Sequence, residues 1–178
     1  MKYLFITLLI LLSLNSVAQI KKTDDAPKSQ LEVFSERAGS MIKKEYFDVG
    51  KVNHITFQVL KLTDILTNTT VVGLRMEGQS SGTYSTTKAA FIDADEVDGL
   101  IKALNYVNTT VLNHTPPEND IEYNFHTRSG FAAGIFNYRN KWMGYLKLVR
   151  FDNDSQFDFT SEDFEKVKDI IVEAKGKL

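Results

Sequence analysis

The chain has 178 residues, of which 43% are hydrophobic and 25% are charged, and its formal net charge is −2. This balance suits one soluble globular domain, and a mildly acidic chain has no overall attraction for nucleic acid or for an anionic membrane. The sequence contains no cysteine, which excludes disulfides, thiol catalysis, zinc–thiolate sites and a lipid-modified N-terminal cysteine.

The first 18 residues have the pattern of a secretory signal peptide. Met1-Lys2-Tyr3 is a short basic head, residues 4–14 are almost wholly apolar, and Asn15-Ser16-Val17-Ala18 offers small residues to a signal peptidase. The alternative is a membrane anchor, but the apolar run is about half of the ~20 residues needed to span a bilayer. We therefore predict an exported protein, periplasmic or extracellular, that is cleaved near Ala18 and keeps no membrane anchor.

The remainder is predicted to be a flexible leader over residues 19–29 and a single domain over residues 30–178. The leader has many charges, a proline and no periodicity. The domain is predicted to contain two pseudo-repeats, residues 40–108 and 121–176. Its expected class is α+β, with two antiparallel β-meanders each closed by a C-terminal helix (ββββα repeated) and with the helices packed on the sheets.

In the first pseudo-repeat, alternating apolar and polar side chains predict four strands before the helix. A short helix within residues 30–38 is expected to precede them, with Leu31 and Phe34 facing inward. Turns are predicted at Gly50-Lys51 and around Asn68. The predicted strands span residues 40–49, 53–66, 69–77 and 84–92.

The two main helices begin with matching sequences. Asp93 and Thr160 are predicted to be the N-caps, and Glu96 and Asp163 follow as acids three positions later. Apolar residues at helical spacing come after both caps. The first helix is predicted to end near Asn108 and the second near Gly176.

The second pseudo-repeat is predicted to have tighter turns. Strands are expected over residues 121–128, 131–139 and 142–151, followed by a short strand over residues 156–159. Ser129-Gly130 and Asn140-Lys141 are predicted to be two-residue hairpin turns. These turns would pair Arg128 with Phe131, and Arg139 with Trp142, which assigns every side chain to a face.

One predicted face is dense in apolar and aromatic side chains and is expected to pack on a helix. It comprises Ile121, Tyr123, Phe125, Phe136, Tyr138, Met143, Tyr145 and Val149. The opposite face mixes an apolar centre with a basic and polar rim. It comprises Glu122, Asn124, His126, Arg128, Phe131, Ala133, Ile135, Asn137, Arg139, Trp142, Leu146, Leu148 and Arg150.

This mixed face is the site-like feature of the sequence, because residues 121–150 are locally basic within an acidic chain. Basic side chains interleaved with aromatic ones can bind anionic or stacking ligands. The candidate binding residues are His126, Arg128, Asn137, Arg139, Trp142 and Arg150. The commoner explanation of such a face is burial of its apolar centre against the first sheet, with the charges as a solvated rim. That centre comprises Phe131, Ile135, Leu146 and Leu148.

No cofactor, metal site or catalytic residue is predicted. His54, His114 and His126 lack the spacing of metal ligands. The acids of residues 93–98 resemble a calcium loop only in composition, and compensation of a helix dipole explains them better. A nucleophile elbow, a dinucleotide-binding glycine motif and a P-loop are all missing from the sequence.

The order of four strands, helix, four strands, helix resembles the Whirly type of single-strand nucleic-acid-binding fold. The resemblance is one of topology, and it implies two crossed sheets whose helices drive oligomerisation, so a homodimer is one expected assembly. No motif matches residue by residue, so it implies no binding residues. The leader and residues 93–104 (DADEVDGLIKAL) also resemble short, cysteine-free exported proteins of Bacteroidetes-type bacteria, which implies no activity.

Three functions follow from these observations. We favour an exported non-enzymatic binding or interaction protein that acts through its second sheet on a protein or on a small anionic or glycan ligand. The alternative is an anion-binding domain for nucleic acid or an acidic glycan, of which nucleic acid fits the acidic, exported chain less well. Its residues would be Arg128, Arg139, Trp142, Lys147 and Arg150. The third is an enzyme whose site joins distant residues, such as His126 and a carboxylate.

Overall fold

The computed structural model describes residues 27–80 and 85–178. The predicted signal peptide, most of the predicted leader and the start of the predicted fourth strand lie outside the described residues. The elements in chain order are α1 Gln30–Ser35, β1 Ile42–Val52, β2 Ile55–Asp64, β3 Thr69–Gln79, β4 Thr87–Asp93, α2 Ala94–Tyr106, a π-helical turn Val107–Val111, β5 Glu122–His126, β6 Ala132–Tyr138, β7 Lys141–Lys147, a 3₁₀ turn Asn153–Ser155, β8 Gln156–Phe159 and α3 Ser161–Lys175.

The strands form two four-stranded antiparallel sheets in which each strand pairs with its neighbours in sequence. Sheet A is β1-β2-β3-β4 and is followed by α2, and sheet B is β5-β6-β7-β8 and is followed by α3. The predicted α+β class with a repeated sheet–helix unit is therefore confirmed. Among the described residues, no helix is long and apolar enough to cross a membrane.

Helices α2 and α3 contact both sheets, and close approaches at glycines show where. A Cβ added at Gly50 of β1 would lie 2.8 Å from Ile170 of α3, and one at Gly144 of β7 would lie 2.6 Å from the ring of Phe164 in α3. A Cβ added at Gly99 of α2 would lie 3.2 Å from the Phe125 ring of β5. One apolar core therefore joins the inner faces of both sheets to the helix pair.

The short helix α1 covers part of the opposite, outer face of sheet A. Its inward residues Leu31 and Phe34 are buried as predicted, and they form a second apolar cluster with Leu60 and Leu62 of β2. A Cβ added at Gly73 of β3 would clash with the Leu31 side chain. Sheet A is therefore covered on its inner face by the main helices and on part of its outer face by α1.

The two predicted helix caps behave differently. Thr160 accepts a hydrogen bond from the Asp163 backbone N–H (3.2 Å), so it caps α3 as predicted. Asp93 occupies the N-cap position of α2, but its side chain makes no cap bond there. Its carboxylate instead accepts from the N–H groups of Gln30 (2.8 Å) and Leu31 (3.1 Å). Asp93 is thus the N-cap residue by position, as predicted, but the expected cap bond is missing because its carboxylate accepts from the unpaired N–H groups of α1.

The end of α2 also differs from the prediction. The α-helix ends at Tyr106 and continues as a π-helical turn, in which the Leu112 N–H donates to the Val107 carbonyl (3.0 Å). The Thr109 hydroxyl donates to the Asn105 carbonyl (2.8 Å). A side-chain donor of this kind competes with the backbone and favours departures from regular helix.

In sheet A the predicted turn at Gly50-Lys51 is wrong, because β1 continues to Val52. The register of β1 against β2 shifts between Asp48 and Gly50, so the glycine belongs to a β-bulge beneath Ile170 rather than to a turn. The chain reverses after Val52, where Asn53 has a positive φ of 51°. The turn predicted around Asn68 is confirmed, with a φ of 56°.

Candidate functional site

The loop between β5 and β6 decides which side chains share a face of sheet B. Gly130 has a φ of 93° and donates its N–H to the Thr127 carbonyl (3.1 Å), while the Thr127 N–H donates to the Phe131 carbonyl (3.0 Å). This is a three-residue hairpin loop that ends in a left-handed glycine. The predicted two-residue turn at Ser129-Gly130 is therefore wrong, and the strands pair as His126 with Ala132.

The loop between β6 and β7 is a two-residue turn, but one position earlier than predicted. Arg139 and Asn140 both have positive φ, 49° and 61°, as a type I′ turn requires. Tyr138 therefore pairs with Lys141, and Asn137 with Trp142. This correction moves the register by two residues, so it leaves the faces of β6 and β7 as predicted.

The β5–β6 loop has three residues instead of the predicted two. The side chains of β5 therefore lie on the opposite faces of sheet B from those predicted relative to β6. Tyr123 and Phe125 share the inner face with Ile135, whereas Glu122 and Asn124 share the outer face with Phe136 and Tyr145 by register. The predicted mixed face therefore does not exist as one surface. The predicted apolar face is therefore divided: Tyr123 and Phe125 pack against the core that contains the helices, whereas Phe136 and Tyr145 lie on the other side of sheet B.

The apolar centre of the predicted mixed face is buried, as its commoner explanation required. It lies in the core shared by both sheets and both helices, and its residues are between 0% and 3% exposed. These residues are Phe131, Ile135, Leu146 and Leu148. The surface of sheet B that faces solvent is thus the opposite one, with β5 supplying its polar residues.

A cleft of about 740 Å³ lies on this outer face of sheet B. We call it the outer cleft, and its lining mixes hydrogen-bonding side chains with aromatic rings. Its lining comprises Asp120, Ile121, Glu122, Asn124, His126, Ala132, Phe136, Asn137, Tyr145, Lys147 and Gln156.

Tyr145 forms the floor of the outer cleft. Its ring lies across Gly134, where an added Cβ would be 2.7 Å from Tyr145 Cε1, and beside the Phe136 ring at a centroid distance of 6.1 Å. Only 6% of Tyr145 is exposed, and its hydroxyl donates to Glu122 Oε1. Burial, together with the bond to the Glu122 carboxylate, raises the pKa of Tyr145, so its hydroxyl stays protonated as a donor.

The polar groups around this floor are arranged along the strands. Glu122 Oε1 also accepts from Asn124 Nδ2 (3.3 Å), whereas Oε2 has no partner among the described residues. His126 and Lys147 flank the small Ala132 in one cross-strand row, and Lys147 donates to Asn153 Oδ1 (2.9 Å). The outer cleft therefore presents both donors and acceptors around a rigid aromatic floor.

Glu122 and His126 are separated by four residues on one strand, which places their Cα atoms roughly 13 Å apart. Proton transfer between a base and an acid needs hydrogen-bonding distance or one bridging water. Glu122 is therefore not the carboxylate that would act together with His126 in the enzyme hypothesis.

Of the six candidate binding residues, His126 and Asn137 line the outer cleft. Asn137 has a supporting role at its edge: its Nδ2 donates to the carbonyls of Pro117 (3.0 Å) and Asn119 (2.9 Å), and its Oδ1 accepts from the Ile121 N–H (2.8 Å). These bonds fix the segment that leads into β5. His126 is exposed and has no hydrogen-bond partner among the described residues.

Arg128 does not line the outer cleft, and its guanidinium forms ion pairs with carboxylates. Its guanidinium is 2.5 Å from Asp95, 3.4 Å from Glu96 and 3.7 Å from the buried Asp93. The backbone N–H of Arg128 donates to Glu96 Oε1 (2.8 Å). The three acids come close enough to suit a cation. Arg128 supplies the positive charge at this cluster, and the contact ties the β5–β6 loop to the start of α2.

The remaining three candidates do not reach the outer cleft. Trp142 is on the inner side by register, with its Nε1 donating to the His114 carbonyl (2.8 Å) and its ring beside Tyr123. Arg139 lies in the β6–β7 turn over the ring of Tyr138. Arg150 lies over Phe151 beyond β7. The predicted basic platform is therefore dispersed over three parts of the surface.

The residues of the outer cleft that were not among the candidates include Glu122, Tyr145 and Gln156. The predicted register placed Tyr145 and Glu122 on different faces of sheet B. One feature of the sequence is compatible with the register that the structure shows. Glycine as the last residue before Phe131 suits the left-handed end of a three-residue loop as well as a two-residue turn.

Comparisons of this chain with protein families, with curated proteins and with solved structures found no match.

Proposed function

We propose that the chain is an exported, non-enzymatic binding protein that holds a glycan in the outer cleft of sheet B. The observation that carries this proposal is the floor of the cleft, where a buried tyrosine on a glycine orients Glu122 among other polar side chains. The signal-like N-terminus supports export. A concave site with an aromatic base and a few convergent polar groups is the usual form of a small-ligand site.

The mixture of polar groups favours a sugar. Each sugar hydroxyl donates and accepts, so it pairs best with a surface that offers both functions. Glu122 offers an acceptor, Lys147 offers donors, and Asn124 and Gln156 offer one of each. Phe136 and Tyr145 supply apolar surface for the C–H faces of a sugar ring.

An acidic sugar is the second candidate, and the cross-strand row of His126, Ala132 and Lys147 supports it. A small residue between two nitrogen donors leaves space for a carboxylate. Attraction between such an anion and Lys147 would weaken as salt is added. A neutral glycan would bind with little dependence on salt.

The test is isothermal titration calorimetry with neutral and uronic-acid oligosaccharides. We expect saturable binding that weakens about tenfold or more in Glu122→Gln, because a hydrogen bond to a charged group contributes about 1.5–3 kcal/mol. Lys147→Ala should weaken binding of the uronic acids most. The matched control is Lys44→Ala on the exposed edge strand β1, which should bind like the parent protein.

Two results would overturn the proposal. One is no heat of binding with any glycan of either class. The other is equal affinity in the parent protein, Glu122→Gln and Lys147→Ala, since a ligand held elsewhere would not sense these side chains.

A further inference from the structure

A second cleft, of about 600 Å³, lies where three elements meet: the π-helical turn, the start of β7 and the start of α3. We call it the helix-end cleft. Its apolar part includes Leu112, Trp142 and Met143. Its polar part includes Asn108, Glu162 and Glu165.

Asn108 is the unusual member of this cleft. Both its amide nitrogen and its amide oxygen are sealed from solvent, and neither has a hydrogen-bond partner among the described residues. Nearly all buried polar groups in proteins are paired, so an unpaired amide calls for a specific explanation. Such a group destabilises the fold because it loses its bonds to water and gains none.

Other side chains of the helix end do bond to its backbone carbonyls, unlike Asn108. The Asn105 carbonyl accepts from the Thr109 hydroxyl (2.8 Å), and the Thr109 carbonyl accepts from Asn113 Nδ2 (2.7 Å). The Thr110 carbonyl is bonded to the His114 ring (2.7 Å). Three carbonyls of the helix end thus accept from side chains other than Asn108, and the π-helical turn is itself a departure from regular helix that is frequent at functional sites.

The aromatic part of the cleft lining is held in place. Trp142 is fixed by its Nε1 bond to the His114 carbonyl (2.8 Å) and by the Tyr123 ring, at a centroid distance of 6.1 Å. The helix-end cleft thus combines a fixed aromatic side chain with an unsatisfied amide, and a bound ligand could contact the first and pair with the second. Because the amide is sealed, a ligand can reach it only after a local shift of the side chains above it.

We propose that the helix-end cleft binds an N-acetylated sugar, with the acetamido group of the ligand paired to the Asn108 amide. An acetamido group carries an N–H donor and a C=O acceptor on opposite sides, so either of them can pair with one of the two unpaired atoms of Asn108. Trp142 and Met143 offer apolar surface to the acetyl methyl and the ring. Glu162 and Glu165 accept from sugar hydroxyls. This site is separate from the outer cleft.

Trp142 is the single tryptophan of the chain, so its fluorescence reports on this cleft. The experiment titrates the purified protein with N-acetylglucosamine, glucose and N-methylacetamide. We expect a saturable change in emission with N-acetylglucosamine and at least tenfold weaker responses to glucose, which lacks the amide, and to N-methylacetamide, which lacks the hydroxyls. No response to N-acetylglucosamine, or an equal response to glucose, would overturn the proposal.

The decisive variant is Asn108→Leu, which replaces the amide by an apolar group of similar size. We expect its Tm to rise, because an unsatisfied buried group is removed, and its affinity for N-acetylglucosamine to fall at least tenfold. Asn108→Ala repeats the binding test without the risk of overpacking. The control is Asn105→Leu, on the exposed face of α2, which should leave binding unchanged.

A rise in Tm without a loss of binding would show that Asn108 is a structural imperfection and not part of a site. A fall in Tm in Asn108→Leu would show that the amide is satisfied in solution, and would remove the premise. Glu122→Gln should bind N-acetylglucosamine at the helix-end cleft normally, so failure here is distinguishable from failure of the outer cleft.

Discussion

Gly134 shows how a single residue determines the shape of the outer cleft. It sits in the middle of sheet B, where the Tyr145 ring crosses it and the Tyr123 carbonyl lies behind it. A side chain at this position would have to displace either the ring or the backbone of β5. The absence of a side chain therefore allows Tyr145 to lie flat and to reach Glu122.

Gly134→Ala should destabilise the protein by about 1–3 kcal/mol, the usual effect of overpacking a tight site. An added Cβ would be 2.7 Å from both Tyr145 Cε1 and the Tyr123 carbonyl oxygen. Chemical denaturation would measure the change, and glycan affinity should fall with it. The matched control is Gly176→Ala at the end of α3, where the nearest atom is 3.4 Å away, so stability should change by less than about 0.5 kcal/mol.

The role of a single residue could be predicted from the sequence when its hydrogen-bond partner is close to it in the chain. Thr160 caps its own helix because its hydroxyl and the Asp163 N–H are three residues apart. Asp93 has the same local sequence signal, but its partners Gln30 and Leu31 are more than sixty residues away in the chain. The unpaired amide of Asn108 could not be predicted from the sequence, because the lack of a partner depends on all the residues packed around it.

In the described part of the chain, a helix covers part of the outer face of sheet A but not the outer face of sheet B. Helix α1 has only six residues, too few to be stable alone in water, and it persists because Ser29 caps it and Leu31 and Phe34 pack on sheet A. No equivalent helix was found on the outer face of sheet B among residues 27–80 and 85–178. The outer cleft occupies that uncovered position.

Two substitutions within α1 separate packing from helix propensity. Leu31→Ala should cost about 2–5 kcal/mol of unfolding free energy, since this side chain is 1% exposed and fills the space above Gly73. Val33→Ala, at 57% exposure, should change stability by less than about 0.5 kcal/mol. Equal effects in thermal or chemical unfolding would show that α1 does not pack on sheet A as described.

Element types were predictable because alternation and helical periodicity are strong over several residues. The pairing of the strands was less predictable, because one additional residue in the β5–β6 loop moves every side chain of β5 to the opposite face of the sheet. Ser129-Gly130 fits a two-residue turn by composition, yet Thr127 supplies the bonds that close a longer loop. The outer cleft could not be assembled from sequence for this reason.

The whole molecule consists of two similar halves joined by a common core and by a few polar contacts. Lys88 of β4 pairs with Asp152, beyond β7, at 2.6 Å, and Lys175 of α3 pairs with Asp98 of α2. The bond from Lys88 holds the pKa of Asp152 below its usual value. A carboxyl whose folded pKa is lowered stabilises the protein above its unfolded pKa of about 3.9, and that stabilisation is lost as the pH falls through the folded value.

Asp152→Asn should therefore lower Tm at pH 7, and the difference from the parent protein should shrink as the pH falls below about 4. The amide oxygen can still accept from the Asp154 N–H, so the substitution removes the charge and keeps the turn. Asp154→Asn is the matched control and should show a smaller difference at pH 7. A gap between the parent and Asp152→Asn that persists unchanged to pH 2 would contradict the assigned role of this ion pair.

The two halves differ most on their outer faces, which is where the function is proposed. On sheet A, Arg75 donates to Gln58 (2.6 Å) and Gln58 donates to Asp48 (2.7 Å), so these polar groups satisfy one another. On sheet B, Glu122 Oε2 and His126 have no partners among the described residues. The repeated architecture was predictable, but this difference depends on cross-strand neighbours that only the register reveals.

Glycan binding on sheet B can be tested by mapping backbone amide chemical shifts during titration of isotope-labelled protein with neutral and uronic-acid oligosaccharides. We expect saturable changes at outward positions of sheet B, including Glu122, Asn124 and Lys147, with little change in sheet A at Gln58 and Arg75. Changes confined to sheet A, or no change with any glycan, would contradict it.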